Sequence, residues 1–369
     1  MTKRVSEIST SLIRKMFEIA ERAKKEGKDV ISLSIGEPDF DTPLEIIEKA
    51  YRYMKAGYTH YTSNMGLEEL REQIAERYGV ESDEVMVTVG ASEALLNASL
   101  AFIERGSTTL IQTPGFLSYF TYAKLCESKI YELKTYKTDF KITPEIIEDV
   151  PSDSSVVFLN YPNNPTGAVM NERELKKIYE IFSEKNVLVI SDEVYDQIYY
   201  DVKPGSLAGE ENAIVINGFS KTLAMTGWRI GFVIARKELL NEMLKIHQVN
   251  GVCAPAYAQK AIADILEEKK DKEIVKNMVS EFRKRRDFVY SRLRKHFEIV
   301  KPEGAFYMFP KAYNGFVEDI LQQKGVALTP GEAFGSDARD YFRLSYATSM
   351  ENLKKAVEKI EEFIENSGL

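Results

Sequence analysis

From Val85 onward the chain alternates short apolar runs with helix-length segments, and this alternation limits the possible folds more than any other feature of the sequence. Runs of strand length fall at 85–89, 108–112, 130–133, 156–160, 187–191, 213–217 and 230–235. Most lack the every-other-residue polarity of a half-solvated strand, as expected of strands buried on both faces of a largely parallel sheet. The expected fold class is α/β, with a mostly parallel seven-stranded sheet between helices.

At 369 residues the chain exceeds what a single core sustains, so a second, smaller α+β lobe is expected from the two chain ends. The expected division is 46–276 for the large domain, with 1–45 and 277–369 making the small one. Residues 11–26 put Leu12, Met16, Ile19, Ala20 and Ala23 on one helical face. The pattern at 273–297 predicts a helix about 40 Å long, enough to bridge two lobes. Short strands at 305–309 and 341–346 and a terminal helix on Leu353, Val357, Ile360 and Ile364 complete the small lobe. No internal repeat, low-complexity segment or flexible linker interrupts the pattern.

Charge and cysteine content exclude several classes. With 49 basic and 57 acidic residues the net charge is -8, which argues against sequence-independent nucleic-acid binding. Two cysteines, Cys126 and Cys253, supply neither a disulfide framework nor a zinc site, so no metal and a reducing, cytoplasmic setting are expected. The opening MTKRVSEIST lacks a signal peptide's apolar segment, and no run approaches the ~20 apolar residues of a membrane span.

Ligands on parallel sheets gather at the carboxyl ends of the strands, so each strand exit can be read for chemistry. Before the first of them, Val30–Ile35 leads into a punctuated loop from Gly36 to Pro43. Gly36 suits either a turn or the close approach of a ligand. After 85–89 come Gly90, Ala91 and Ser92 at the start of a helix, where backbone N–H groups favour a phosphate and Ser92 could equally be a cap. Phe116 follows the second strand and could stack on a flat ring or simply pack. The fourth exit, NYPNNPTG, holds Asn163 and Asn164 in a proline-stiffened turn. The helix beyond it opens with Asn171 and Glu174 as a capping box. The fifth ends in Asp192, Glu193, Val194 and Tyr195. An aspartate closing an apolar strand costs desolvation energy unless a cation or donor faces it.

The sixth exit carries Ser220 and Lys221. A lysine amine in such a crevice can form a Schiff base of the kind pyridoxal phosphate chemistry uses. Arg229, eight residues on, could grip a phosphate or carboxylate, although both cations also suit a loop surface. Arg343, between apolar Phe342 and Leu344, faces either a crevice or solvent. Tyr61 sits in an exposed turn between helices.

The ordered motifs Asn164-Pro165-Thr166-Gly167, Asp192-Glu193-Val194-Tyr195 and Ser220-Lys221 before Gly227-Trp228-Arg229-Ile230-Gly231 resemble the class I aminotransferases, fold type I pyridoxal phosphate enzymes. The resemblance extends from Gly36-Glu37-Pro38-Asp39-Phe40, through Tyr61 and Gly66-Leu67, to Arg343-Leu344-Ser345-Tyr346-Ala347. It implies pyridoxal phosphate joined to Lys221 as a Schiff base, with Lys221 also carrying the substrate's α proton. Asp192 would pair with the ring nitrogen, Tyr195 and Asn164 with the phenolic oxygen, and Phe116 would stack on the ring. Arg229, Ser220, Ser92 and the Ala91 N–H would hold the phosphate, joined by Tyr61 from the second subunit of a homodimer. Arg343 would bind the substrate α-carboxylate beside Gly36 and Asn164.

Two departures stand out: Gly218 replaces a serine common three residues before the lysine, and Ser92 replaces a lysine that one branch uses for a distal carboxylate. The resemblance implies an aminotransferase moving an α-amino group from aspartate or an aromatic amino acid to a 2-oxo acid, with 2-oxoglutarate the expected acceptor. A β-lyase of the same fold is the main alternative, since it uses the same lysine and aspartate. A non-catalytic pyridoxal-binding regulator lacks a segment to bind DNA. A nicotinamide dehydrogenase lacks the G-x-G-x-x-G turn, and a nucleotide hydrolase the Walker lysine.

Overall fold

A computed structural model describes residues 3–6, 8, 16, 18–20, 22, 25–27 and 29–367. A first strand, β1 (Ile31–Ser32), precedes the strands of the main sheet. These are β2 (Val85–Thr88), β3 (Thr108–Thr113), β4 (Lys129–Lys134), β5 (Ser154–Asn160), β6 (Leu188–Asp192), β7 (Ala213–Gly218) and β8 (Gly231–Ile234). They form one seven-stranded sheet in the order β2-β8-β7-β6-β5-β3-β4. The run from β4 through β3, β5 and β6 to β7 is parallel. Only β8 runs against its neighbours β2 and β7.

The unbroken apolar runs have the expected cause. Val157, Val189 and Val215 bury themselves in one core, whereas the adjacent Val156, Ile190 and Ile214 bury themselves in another on the opposite face. Successive side chains point to opposite sides of a strand, so a strand covered on both sides has no position left for a polar residue. Each such side chain contributes roughly 1.5–3 kcal/mol by leaving water.

A third core belongs to the chain ends, gathering Ile31, Leu33, Phe306, Phe342, Leu344, Leu353 and Val357. Here β1 pairs in parallel with β10 (Val326–Ala327). A separate three-stranded sheet places β12 (Phe342–Ser345) between β9 (Tyr307–Met308) and β11 (Thr329–Pro330). The long helix spans Asp271–Leu293, 23 residues. Its Val275 lies in the core of the main sheet, and its Met278, Phe282 and Val289 in that of the chain ends.

Several expectations need adjustment. Of the N-terminal helical face, Met16 and Ala20 are buried and Ile19 is exposed, while Leu12 and Ala23 lie outside the described residues. The helix after β2 begins at Ala91 with Gly90 as its cap, so Ser92 lies inside the first turn and is not the capping residue. The Asn171 capping box forms as read, with both the Asn171 and the Glu174 side chains engaged. Among the described residues no helix is long and apolar enough to cross a membrane.

Candidate active site

Strand register brings the chemistry to one edge of the sheet. Asn160 at the end of β5 pairs with Asp192 at the end of β6, which in turn lies level with Ile216 of β7. Because β8 is antiparallel, its first residue Gly231 lies beside Gly218, the last residue of β7, and beside Thr88, the last of β2. Arg229, which precedes its strand, therefore joins residues that follow theirs. A cavity of about 290 Å³ opens at this edge, near the lower end of the range for small-ligand sites.

The two charged groups expected at its centre are both there. The Lys221 ammonium donates to the Gly36 carbonyl at 2.7 Å. Burial lowers its pKa from 10.5 to about 8, the nearby Arg343 and Arg229 add to the effect, and Glu37 and Asp192 oppose it. Asp192 is 4% exposed. Its Oδ2 accepts a 2.7 Å bond from the Tyr119 hydroxyl, and its Oδ1 a 3.4 Å bond from the Val194 N–H. Burial outweighs these donors and lifts its pKa to about 6. One group is thus an amine made less basic, the other a carboxyl that a cation facing it would ionise.

A second corner can take an anion. Gly90 turns with φ 78°, and a side chain there would collide with the Arg229 guanidinium. The Arg229 backbone is itself left-handed, with φ 59°. Its guanidinium donates to the Thr226 carbonyl at 2.9 Å. Ala91, Ser92, Ser220 and Arg229 line the cavity together at the start of the helix Ala91–Phe102. A helix N-terminus with a fixed guanidinium suits a phosphate.

The third corner is contributed by the chain ends. Arg343, 1% exposed, donates to Asn164 Oδ1 at 2.9 Å and to the Ser34 carbonyl at 2.5 Å. Its guanidinium lies 4.6 Å from the centre of the Tyr307 ring. Its Nε is buried without an acceptor. The Tyr195 hydroxyl meets that of Tyr307 at 2.8 Å, and burial together with this partner holds it protonated. Gly36 also lines the cavity, and a side chain there would run into the Tyr307 hydroxyl.

Of the residues singled out in the sequence, Gly36, Ala91, Ser92, Phe116, Asn164, Asp192, Tyr195, Ser220, Lys221, Arg229 and Arg343 all line this one cavity. Tyr61 does not, and the residue is 86% exposed. The asparagine pair divides its work. Asn164 faces the cavity, while Asn163 Oδ1 accepts from the Thr166 N–H and hydroxyl and holds the turn together.

Tyr119, Asn160, Thr226 and Tyr307 line the cavity without having been singled out. Tyr119 stacks on Phe158 at 4.9 Å, so its sequence signal is that of a core aromatic. Its place in the first turn of the helix Leu117–Leu125, which Phe116 precedes, is the available clue. Asn160 donates from Nδ2 to the Asp192 carbonyl at 2.7 Å and accepts the Asn164 N–H at 2.8 Å.

These corners fit pyridoxal phosphate: a half-buried amine for its aldehyde, a buried carboxyl in need of a cation for its ring nitrogen, a helix start with a guanidinium for its phosphate, and Phe116 beside them for its ring. Among the described residues no group of acids, histidines and cysteines is placed to hold a metal ion.

Comparison with known proteins agrees with this geometry. The family model for aminotransferase class I and II matches residues 28–360. The chain is 40% identical to an aspartate aminotransferase of Pyrococcus abyssi over 390 residues, covering 100% of this chain and 99% of the relative. It is 36% identical to aromatic-amino-acid aminotransferase 2 of Thermococcus litoralis, again covering 100% and 99%. The crystal structure of an aromatic aminotransferase from Pyrococcus horikoshii OT3 superimposes with a TM-score of 0.89 at 39% identity, over 95% of this chain and 99% of that one. The architecture is that of the fold type I aminotransferases. Shared sequence along nearly the whole chain, on a shared backbone, means that the chain belongs to the class I and II aminotransferase family.

Proposed function

We propose that this aminotransferase moves the α-amino group of aspartate or an aromatic amino acid to a 2-oxo acid, 2-oxoglutarate foremost, with pyridoxal phosphate held at Lys221. The observation that carries the reading is that one cavity is lined by the Lys221 amine, the Asp192 carboxyl and the Arg229 and Arg343 guanidiniums, with burial lowering the amine's pKa to about 8 and raising the carboxyl's to about 6. Such opposed shifts mark groups set up for proton and charge transfer. When bound, pyridoxal phosphate supplies an electron-accepting ring for the pair left on the α carbon as its proton departs.

The chain's own residues do the rest. Lys221, as a free amine, would take the proton from the substrate's α carbon and deliver it to the carbon of the cofactor's aldehyde group. Asp192, its charge favoured once a protonated nitrogen faces it, keeps that proton in place, and the Tyr119 hydroxyl fixes the carboxylate's orientation. Tyr195 and the Asn164 amide would donate to the phenolic oxygen. Arg229, Ser220, Ser92 and the Ala91 N–H would hold the phosphate, and Phe116 would cover the ring. Arg343, its guanidinium oriented by Asn164 and Ser34, grips the α-carboxylate, and Gly36 leaves the room.

A second copy completes the reading. Tyr61 projects from the surface, and Leu44, Ile47, Tyr51 and Met54 form an exposed apolar stripe on the helix Leu44–Lys55. A homodimer would cover that stripe and carry Tyr61 to the partner's phosphate site. Sedimentation should give twice the mass of one chain, and Tyr61→Phe should weaken cofactor uptake severalfold.

The test of activity is a panel of amino acids given to cofactor-loaded protein with and without 2-oxoglutarate. Aspartate and the aromatic amino acids should yield glutamate fastest, and turnover without the 2-oxo acid should stop after one equivalent. Steady ammonia release from the amino acid alone would identify a lyase, and glutamate from none of the panel would overturn the proposal.

A further inference from the structure

Behind the phosphate corner lies a buried polar cluster with no role in the chemistry above. Glu93 stands in the first turn of the helix Ala91–Phe102 and faces away from the cavity, which it does not line. Its Oε2 accepts the Val89 N–H at 2.6 Å. Its Oε1 accepts from Asn97 Nδ2 at 2.8 Å and meets His247 Nδ1 at 2.6 Å. His247, fully buried on the helix Lys237–Asn250, has no partner at Nε2. With no acceptor there, the ring proton belongs on Nδ1, donated to Glu93. A second bond, from Asn250 Nδ2 to Asn97 Oδ1 at 3.1 Å, ties the same two helices.

The bond to Val89 gives this cluster its consequence. Val89 follows the last residue of β2 and opens the turn through Gly90 to Ala91, and Gly90 is the residue against which the Arg229 guanidinium packs. A carboxylate at a helix start would ordinarily compete with a ligand phosphate for the same positive end. Here both oxygens are occupied by donors on the far side. Burial works against the charge of Glu93, and His247, the Val89 N–H and Asn97 overcome it, so the pKa lies below the usual carboxylate range.

We propose that Glu93, oriented by His247, is a positioning residue for the cofactor phosphate: it fixes the Val89–Gly90–Ala91 turn so that the Ala91 N–H and the Arg229 guanidinium converge on one point. The proposal rests on pyridoxal phosphate being the cofactor. Its signature is selectivity for the phosphate, since a loosened turn loses the phosphate while leaving Lys221 and Asp192 in place.

The experiment titrates cofactor-free protein with pyridoxal phosphate and, separately, with pyridoxal, which lacks the phosphate, following absorbance and recording thermal midpoints of the unloaded forms. Glu93→Gln places an amide NH2 against the Val89 N–H or the His247 ring, and should raise the dissociation constant for pyridoxal phosphate by roughly tenfold or more, as for a lost charge-assisted bond. Pyridoxal binding should be unchanged. His247→Leu should copy the effect, and His247→Asn, whose amide can reproduce the Nδ1 donor, should restore phosphate binding to within about threefold of the native value. Equal losses for both ligands, or no loss in Glu93→Gln and His247→Leu, would overturn the proposal. Wild-type protein that takes up neither ligand would instead overturn the cofactor assignment, and the positioning role with it.

Discussion

Asp192 and Glu193 are consecutive residues at the end of β6, yet they face opposite sides of the sheet and meet opposite fates. Glu193 Oε1 accepts from the Ser191 hydroxyl at 2.9 Å and the Leu207 N–H at 3.0 Å. Its Oε2 accepts from the Ser206 hydroxyl at 2.6 Å. Asp192 has the Tyr119 hydroxyl, one long backbone bond and open space toward Lys221. Burial raises both acids, to about 7 for Glu193 and about 6 for Asp192. Burial and a shifted pKa therefore do not separate a working acid from a structural one. Unspent hydrogen-bonding capacity facing a cavity does.

Substitutions put that contrast at risk, most severely at the amine facing Asp192. Lys221→Ala should lower transamination by more than about 1,000-fold, since both the covalent anchor and the proton carrier are lost. Residual activity within tenfold, in an assay of glutamate formation, would remove Lys221 from the mechanism.

Asp192→Asn should lower kcat by about 100-fold or more. The same change also has a consequence for stability. The folded pKa of Asp192, about 6, lies above its ordinary value of 3.8, so the native state holds the proton more tightly than the unfolded chain. Its ionisation therefore costs stability as pH rises through that window, and the cost is complete above about pH 6. Cofactor-free Asp192→Asn should melt a few degrees above the native protein at pH 7.5, and the gap should close toward pH 4, as read by calorimetry.

Arg343→Lys keeps the charge but loses the planar fork, and should raise KM for the amino acid by about 10- to 100-fold with a smaller change in kcat. The amine itself offers a milder test. Because its folded pKa is about 8, the rate of pyridoxal phosphate uptake by cofactor-free protein should climb nearly tenfold from pH 6 to 7 and level off above pH 8. A climb continuing to pH 10 would mean that Lys221 is not depressed.

The smallest effect belongs to Glu193→Gln. Its serine partners can reverse their hydroxyls to accept from an amide, so activity should stay within about threefold and the melting temperature within a few degrees. A loss matching that of Asp192→Asn would erase the distinction drawn between the two acids.

Much of this site is legible in the order of residues along the chain. Lys221, Asp192 and Asn164 stand at strand exits and Arg229 just before a strand begins, and such boundaries announce themselves wherever an apolar run stops or starts. Tyr119 and Tyr307 are not legible, because an aromatic residue that reaches the cavity with its hydroxyl and the core with its ring has the pattern of a core residue. Ser92 has the composition of a cap, but Gly90 takes that place because its left-handed backbone is what Arg229 packs against.

Periodicity and strand exits are local properties of the chain, so the sheet, its burial on both faces and the chemical types at its edge all follow from the amino-acid order alone. The reversal of β8 does not, and belongs to the folded molecule. The connection from Phe219 to Ile230 is at the lower limit of length for a parallel crossover and contains just a four-residue helix, where such a crossover usually carries a full one. That reversal sets Arg229 beside Gly90, and packing between the chain ends and the sheet sets Gly36 against Lys221 and Arg343 against Asn164. Contacts between residues more than a hundred positions apart follow from how whole elements fill space together, which no local pattern in the sequence encodes.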